Sequence, residues 1–503
     1  MSLARRFPLA LLGFLAFIAT AMAAPAVTLA PVVGPPTTNI TVKGTGFGAI
    51  AAVDIFFDTS DLCLALATSG GAINCVIKAP ASAQPQRHWI SAVQRVTGTG
   101  AQKAFTVRTD WAQFHGLNAA HNGRNLFENT ITTVNVGDLD TLWTAPIAPT
   151  GTESTPAIFA GKVYIAGDDG KLYAFNSLTG AAIAGFPKTL GGAIFPSSPA
   201  VGNGNVYIGT YTPDNKLHAF NATTGAAVAG FPIQLGGAVT SSPALALGNV
   251  YVGSYDHNLY AFNARTGVPV TGFPKTLANA VAASPTIANG RVYVGDLSGQ
   301  FHAFDALTGT ELAGSPKLAV ANYGAAAVAG SAVYVGSLGG VLSAFNDTLE
   351  LTGPGFPVTV GDWIYGSPAV SGGLVFIGAI DHKLYAFRTT TGGAPRWTAA
   401  LDSEVRGSPV VADNIVFVNS KTRLFALSAA TGEILWSAGV RTEGLNSPAV
   451  ADGVVYLGSS NGNLYAYSVN GVAPAAKLAG GALGVKPAIT MLKPDLSLKP
   501  VHN

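Results

Sequence analysis

Three residues before a recurring proline or its equivalent, eight successive segments of the chain carry Glu153, Pro196, Thr240, Ala282, Tyr323, Tyr365, Arg406 and Leu445. Residues needed for packing should recur from segment to segment, whereas residues needed for a ligand need not. Glu153, Tyr323, Tyr365 and Arg406, with neighbours Asn322, Trp363 and Asn446, are therefore the candidate binding surface, a few polar and aromatic groups that converge if the segments surround one axis. One Arg, one Glu and one Asn can serve a carboxylate ligand together with Ca²⁺, whose ligands must be oxygens. The plainer reading is that they fill and hydrate the mouth of a channel, with an ion pair from Glu153 to Arg406.

Other reactive residue types point elsewhere. His218 and His302 stand where Tyr173, Tyr260, Tyr385 and Tyr465 stand in other segments, so they read as variants of a structural position. Asp256-His257 and Asp381-His382 occupy a tight turn that holds Asp169-Gly170 in the first segment, which suits hairpin turns better than metal ligands. The chain has no His-Glu-x-x-His, P-loop or EF-hand pattern. No catalytic residue and no metal ligand is assigned.

The segments that must position these residues are regular. An aromatic in a Val-Tyr-Val-Gly-like strand recurs about every 42 residues, at Tyr164, Tyr207, Tyr251, Tyr293, Tyr334, Phe376, Phe417 and Tyr456. Eight residues before it a Ser-Pro or Thr-Pro pair places Pro156, Pro199, Pro243, Pro285, Pro368, Pro409 and Pro448; Ala325-Ala326 replaces the pair in the fifth segment. A second strand follows, ending at Phe175, Phe220, Phe262, Phe304, Phe345, Phe387, Leu427 and Tyr467, with Thr-Gly turns after most. Each segment thus reads as four short strands separated by Gly, Asp and Asn turns. Four strands per repeat make a propeller blade. The last segment lacks an outer strand and Leu142-Trp143-Thr144 is an outer strand without a segment, so the N-terminal strand is expected to complete the last blade and leave no open sheet edge. The count is eight blades, with seven as the alternative if one segment is looped out.

The rest of the chain divides around this array. Arg5-Arg6, the apolar run from Phe7 to Ala23 and the small residues Ala21-Met22-Ala23 form a secretory signal peptide, residues 1–23, expected to be removed. A retained membrane anchor is the alternative. Residues 24–108 carry short strands at Asn39 to Val42, Val53 to Phe57, Cys75 to Lys78, Trp89 to Val93 and Ala104 to Val107, the pattern of a small β-sandwich. Cys63 and Cys75, an even pair in an exported chain, are expected to form one disulfide worth on the order of 3 kcal/mol. Residues 109–139 form a lead-in linker, 140–470 the propeller, and 471–503 a tail whose Lys477, Lys486, Lys493 and Lys499 lie among prolines and glycines, expected to be extended and solvated.

Composition bounds the partners. Only 11% of the residues are charged and mean hydropathy is +0.36, yet the one long apolar run is the leader. Removing it takes two arginines from 28 basic residues against 26 acidic ones. A mature chain with no net charge has no electrostatic case for nucleic acid or anionic lipid. No transmembrane segment is expected after the leader is cleaved, and a monomer is expected.

Two resemblances sharpen these expectations. Gly44-Thr45-Gly46-Phe47, Val53-Asp54-Ile55-Phe56-Phe57-Asp58 and Phe105-Thr106-Val107-Arg108 resemble the immunoglobulin-like IPT/TIG domains of bacterial surface and exported proteins. The Ser-Pro, Val-Tyr-Val-Gly, Leu-Tyr-Ala, Thr-Gly and Trp pattern, most complete in Leu424 to Trp436, resembles the repeats of the pyrroloquinoline quinone (PQQ) propeller superfamily. That resemblance implies an all-β, eight-bladed propeller after a small immunoglobulin-like sandwich, located in the periplasm, the cell envelope or the medium. It leaves function open, because the superfamily holds both quinoprotein alcohol dehydrogenases and non-catalytic scaffolds such as BamB. The adjacent cysteines typical of the dehydrogenases are missing, Cys-x-x-Cys-His is absent, and Ala24-Pro25 stands where BamB-like lipoproteins carry a lipidated cysteine. The expected function is a non-catalytic binding or scaffold protein with a protein or glycan partner and no cofactor. A dehydrogenase using PQQ and Ca²⁺ without the cysteine pair is one alternative, and an adhesion protein that binds through its sandwich is another.

Overall fold

The structure, a computed structural model, describes residues 23–116, 118–318, 323–351, 355–474 and 486–501. The leader, apart from Ala23, and Asn322 lie outside the described residues.

Alternating apolar residues build the sandwich. Strands Ala26–Ala30, Asn39–Thr45 and Ile73–Lys78 form one sheet; Val33–Gly34, Gly100–Val107, Gln86–Gln94, Ala52–Phe57 and Ser60–Leu66 form the other. Every second side chain of the first sheet, including Ile40, Val42, Cys75 and Ile77, is buried against Val53, Ile55, Ile90, Phe105 and Val107 of the second. The Cys63–Cys75 disulfide joins the two sheets.

The far end of the chain, extended and largely exposed as expected, returns to this sandwich and docks on it. Pro500–Val501 pairs in parallel with Leu64 and Ala65 on the outer edge of the second sheet. Asp495 N–H donates to Asp61 (2.8 Å), Gln102 Nε2 donates to the Pro487 carbonyl (2.8 Å), and the Lys486 ammonium lies 5.4 Å from the Trp89 ring. An exposed edge strand is a row of unpaired backbone groups, and the tail satisfies part of it.

Eight antiparallel sheets follow, each beginning with a short inner strand: Ala157–Phe159, Ala200–Gly202, Ala244–Ala246, Thr286–Ala288, Ala327–Ala329, Ala369–Ser371, Val410–Ala412 and Ala449–Ala451. Each inner strand touches the next, and the last touches the first, so the sheets are blades around one axis. Leu139–Pro146 supplies the outer strand of the last blade by pairing with Asn463–Val469.

Three repeated contacts explain the sequence pattern. The marker tyrosine ties its blade to the next: Tyr164 donates to the Ala222 carbonyl (2.5 Å), Tyr207 to Ala264 (2.5 Å), Tyr251 to Ala306 (2.7 Å) and Tyr456, across the ring closure, to Ser177 (3.0 Å). Phe376 and Phe417 have no hydroxyl; there the outer-strand indoles take over, Trp397 donating to the Ala429 carbonyl (3.0 Å) and Trp436 to Leu139 (2.8 Å). The Ser of each Ser-Pro pair accepts the backbone N–H of its counterpart one blade earlier, from Thr155 to Ser198, Ser242 and Ser284, then from Ala325 to Ser367, Ser408, Ser447 and back to Thr155, each at 2.8–3.0 Å. Ala325 has no hydroxyl, so this belt is interrupted at the fifth blade. Lastly, Tyr173, Tyr260 and His218 bond the hairpin carboxylates Asp169, Asp256 and Asp214 four residues earlier at 2.6–2.8 Å. The histidine thus does the tyrosine's structural work.

The lead-in closes one end of the channel. Each blade leaves the free edge of its inner strand facing the axis, and residues 109–116 and 118–125 run around that ring of edges. Ile158 pairs with Trp111, Val201 with Ala112, Leu245 with the Gln113 carboxamide, Ile287 with Ala119, Val328 with Ala120, Val370 with Asn122, Val411 with Gly123 and Val450 with the Asn125 carboxamide. All eight blades are bonded by one segment. His115, fully buried, spans the plug with its ring nitrogens 2.9 Å from the His121 carbonyl and 2.7 Å from that of Pro409.

Candidate functional site

The opposite end stays open. A cavity of about 390 Å³ descends from it to Phe114 of the plug. Its wall carries Phe195, Tyr211, Tyr255, Tyr323, Trp363, Tyr365 and Arg406, with Thr240 and the belt hydroxyls of Ser242, Ser284 and Ser408 below them.

The aromatic wall follows from the small residue that succeeds seven of the eight variable positions, Asn446 being the exception. A Cβ on Gly324 would lie 2.8 Å from the Gly366 carbonyl oxygen, and one on Gly366 would lie 2.7 Å from that of Gly407. These glycines let the fifth, sixth and seventh blades approach closely, which sets their mouth residues side by side. Tyr323 and Tyr365 stack with ring centroids 6.0 Å apart, Trp363 lies 6.1 Å from Tyr365, and the Arg406 guanidinium sits 5.3 Å from the Tyr365 centroid.

Four of the candidate residues, Tyr323, Trp363, Tyr365 and Arg406, therefore share one surface. Asn446 does not: its carboxamide donates to the Gly458 carbonyl (2.7 Å) and is buried between blades. Glu153 stands at the rim outside the cavity lining, with Oε2 buried and unbonded. Burial, then the neighbouring Asp168 and Glu443, push its carboxyl up to about 7 against the opposing pull of Arg406. The expected ion pair to Arg406 is not made. Glu404, two residues from Arg406 on the same blade, takes the guanidinium instead at 2.7 Å and also meets Lys421 at 3.2 Å.

A second variable position was legible but missed. Four residues after the marker aromatic the blades read Asp168, Tyr211, Tyr255, Leu297, Leu338, Ile380, Lys421 and Ser460. Tyr211, Tyr255 and Leu338 of this set line the cavity, Asp168 neighbours Glu153, and Lys421 reaches Glu404. Phe195 stands at the position that holds Asn322 in the fifth segment and was passed over there, while Phe114 precedes the repeats and carries no such signal.

In three stretches, 187–270, 213–348, which overlaps it, and 358–473, the chain matches the family model described as outer membrane protein assembly factor BamB. Together they span more than half of its length. The chain belongs to the BamB family. Likeness to solved structures agrees on the fold. BamB from Moraxella catarrhalis superposes with a TM-score of 0.53 at 19% identity, covering 66% of this chain and 97% of that one. Quinohemoprotein alcohol dehydrogenase from Comamonas testosteroni gives 0.57 at 17% identity, covering 72% and 81%. A europium-containing methanol dehydrogenase gives 0.58 at 13%, covering 72% and 98%. No curated protein matches in sequence. BamB-family membership and the propeller fold are thus fixed, while the structural neighbours include both an assembly factor and dehydrogenases. Among the described residues, no helix is long and apolar enough to cross a membrane.

Proposed function

We propose that this is an exported, non-catalytic binding protein of the cell envelope or periplasm that uses the open end of its propeller as an interaction platform. The observation that carries this reading is the mouth itself. Exposed aromatic side chains and one Arg gather at the rim of a blind channel, a composition typical of energetically dominant binding residues. BamB-family membership supports interaction with another macromolecule, and the disulfide supports an oxidising compartment.

The superfamily also raises PQQ with Ca²⁺, and the residues present do not fit that pair. PQQ is a polyanionic quinone, yet Arg406 is the single cation of the cavity lining and Glu404 already holds it. Both cysteines are spent on the sandwich disulfide. Among the described residues no three His, Cys, Asp or Glu side chains gather as a metal site.

Thermal unfolding of the mature protein with and without PQQ plus Ca²⁺ tests the reading. The midpoint is expected not to move. A dose-dependent rise that needs both additives, approaching the roughly 2.7 kcal/mol given by saturation at about 100 times the dissociation constant, would sink it in favour of a quinoprotein.

A further inference from the structure

We infer that the mouth cavity binds a neutral saccharide residue, stacked on the wall formed by Tyr323, Trp363 and Tyr365. This rests on the reading of the mouth as the recognition surface and names its ligand class.

The first support is the exposure of the rings. Trp363 is 47% exposed, Phe195 40% and Tyr323 37%, whereas the other aromatic rings among the described residues are buried or half-buried. An aromatic face carries partial negative charge and suits the polarised C–H face of a sugar ring, which is apolar without being greasy. The second support is charge. Arg406, the only cation of the lining, is paired with Glu404, and burial of Tyr255 raises the pKa of its hydroxyl, so it stays neutral. A charged ligand would lose its hydration without gaining a free counter-charge, and that transfer is costly.

The third support is hydroxyl chemistry. Ser242, Ser284 and Ser408 line the cavity with oxygens that already accept a backbone N–H, which leaves each an O–H to donate. Thr240 Oγ1, in the same wall, is buried with only the Tyr255 hydroxyl beside it and makes no hydrogen bond of ordinary geometry. A ligand rich in groups that both donate and accept satisfies such a lining, and an aliphatic one does not. Size completes the match. About 390 Å³ lies at the small end of ligand pockets, roughly 300–1,000 Å³, and the Phe114 floor stops a chain from passing through. The cavity therefore suits a sugar ring or the end of a glycan.

The test is calorimetric titration of the mature full-length protein with neutral oligosaccharides of glucose, mannose and N-acetylglucosamine. Peptides rich in proline and aromatic residues form a second panel. Saturable binding of a neutral oligosaccharide is expected, weakened at least tenfold by Trp363→Ala and by Tyr323→Ala and largely kept by Trp363→Phe, with thermal unfolding unchanged in all three. Absence of binding by every oligosaccharide, or binding that survives both alanine variants, overturns the inference. Peptide binding lost in the same variants overturns the saccharide while leaving the platform reading intact. If neither panel is sensitive to these residues, both fall.

Discussion

The two ends of the propeller channel are built from the same eight strands and do opposite things. At the closed end each blade offers backbone groups at an equivalent place, and one segment, residues 109–116 and 118–125, bonds to all of them. At the open end each blade offers a different side chain, and nothing from the chain covers Tyr323, Phe195 or Trp363 completely. Equivalence suits a structural seam, because one extended strand can satisfy a ring of like edges. Divergence suits recognition, because a ligand is not eightfold symmetric.

This contrast breaks most readily at the closed end. His115→Ala would remove the ring N–H that faces the His121 or the Pro409 carbonyl and leave a cavity in the plug, at an expected cost of about 3 kcal/mol in urea unfolding. A loss below about 1 kcal/mol would show that the plug is decorative. Acidity comes next. Glu153 has a folded-state pKa raised from 4.5 to about 7, so its contribution to stability is full at acid pH and is lost as pH rises through 7. The swing is expected to be on the order of 2–3 kcal/mol, and Glu153→Gln should flatten that part of the pH–stability profile. Asp452, which accepts the Thr109 N–H at 2.7 Å beside the plug, is also pushed up to about 7, chiefly by burial, and should act in the same direction.

Smaller effects sharpen the comparison. Ser367→Ala removes the acceptor for the Ala325 N–H and should cost about 1–2 kcal/mol, whereas Ala325→Ser should restore the missing belt hydroxyl and gain about 0.5–1 kcal/mol. A loss on Ala325→Ser would mean that the interruption is required by packing. Smallest of all, Trp363→Ala at the mouth should change stability by no more than about 0.5 kcal/mol, as befits an exposed side chain away from the core.

The same contrast decides what could be read from the sequence. Tyr164 and its counterparts, the Ser-Pro pairs and the orphan strand at Trp143 were legible because each recurs or completes a period. Their contacts, blade-to-blade hydrogen bonds and the closing strand, are what the period exists to make. Tyr323, Tyr365, Trp363 and Arg406 were legible as departures from it. Asn446 departs equally, yet its carboxamide is spent on Gly458 O, since divergence alone does not separate a ligand contact from a local repair. The plug left no periodic trace, because its partners are backbone groups that any side chain accompanies. Pro500–Val501 left none either, as a short edge strand paired across more than 400 residues has no local signature.

The most direct test of the central claim is amide hydrogen exchange over the whole chain with and without a saturating ligand from the titrations. Ligand-dependent protection is predicted in the mouth segments 193–196, 238–242, 361–366 and 404–408, with the sandwich of residues 24–108 unchanged. Protection confined to the sandwich, with the mouth exchanging as in the free protein, would contradict the account.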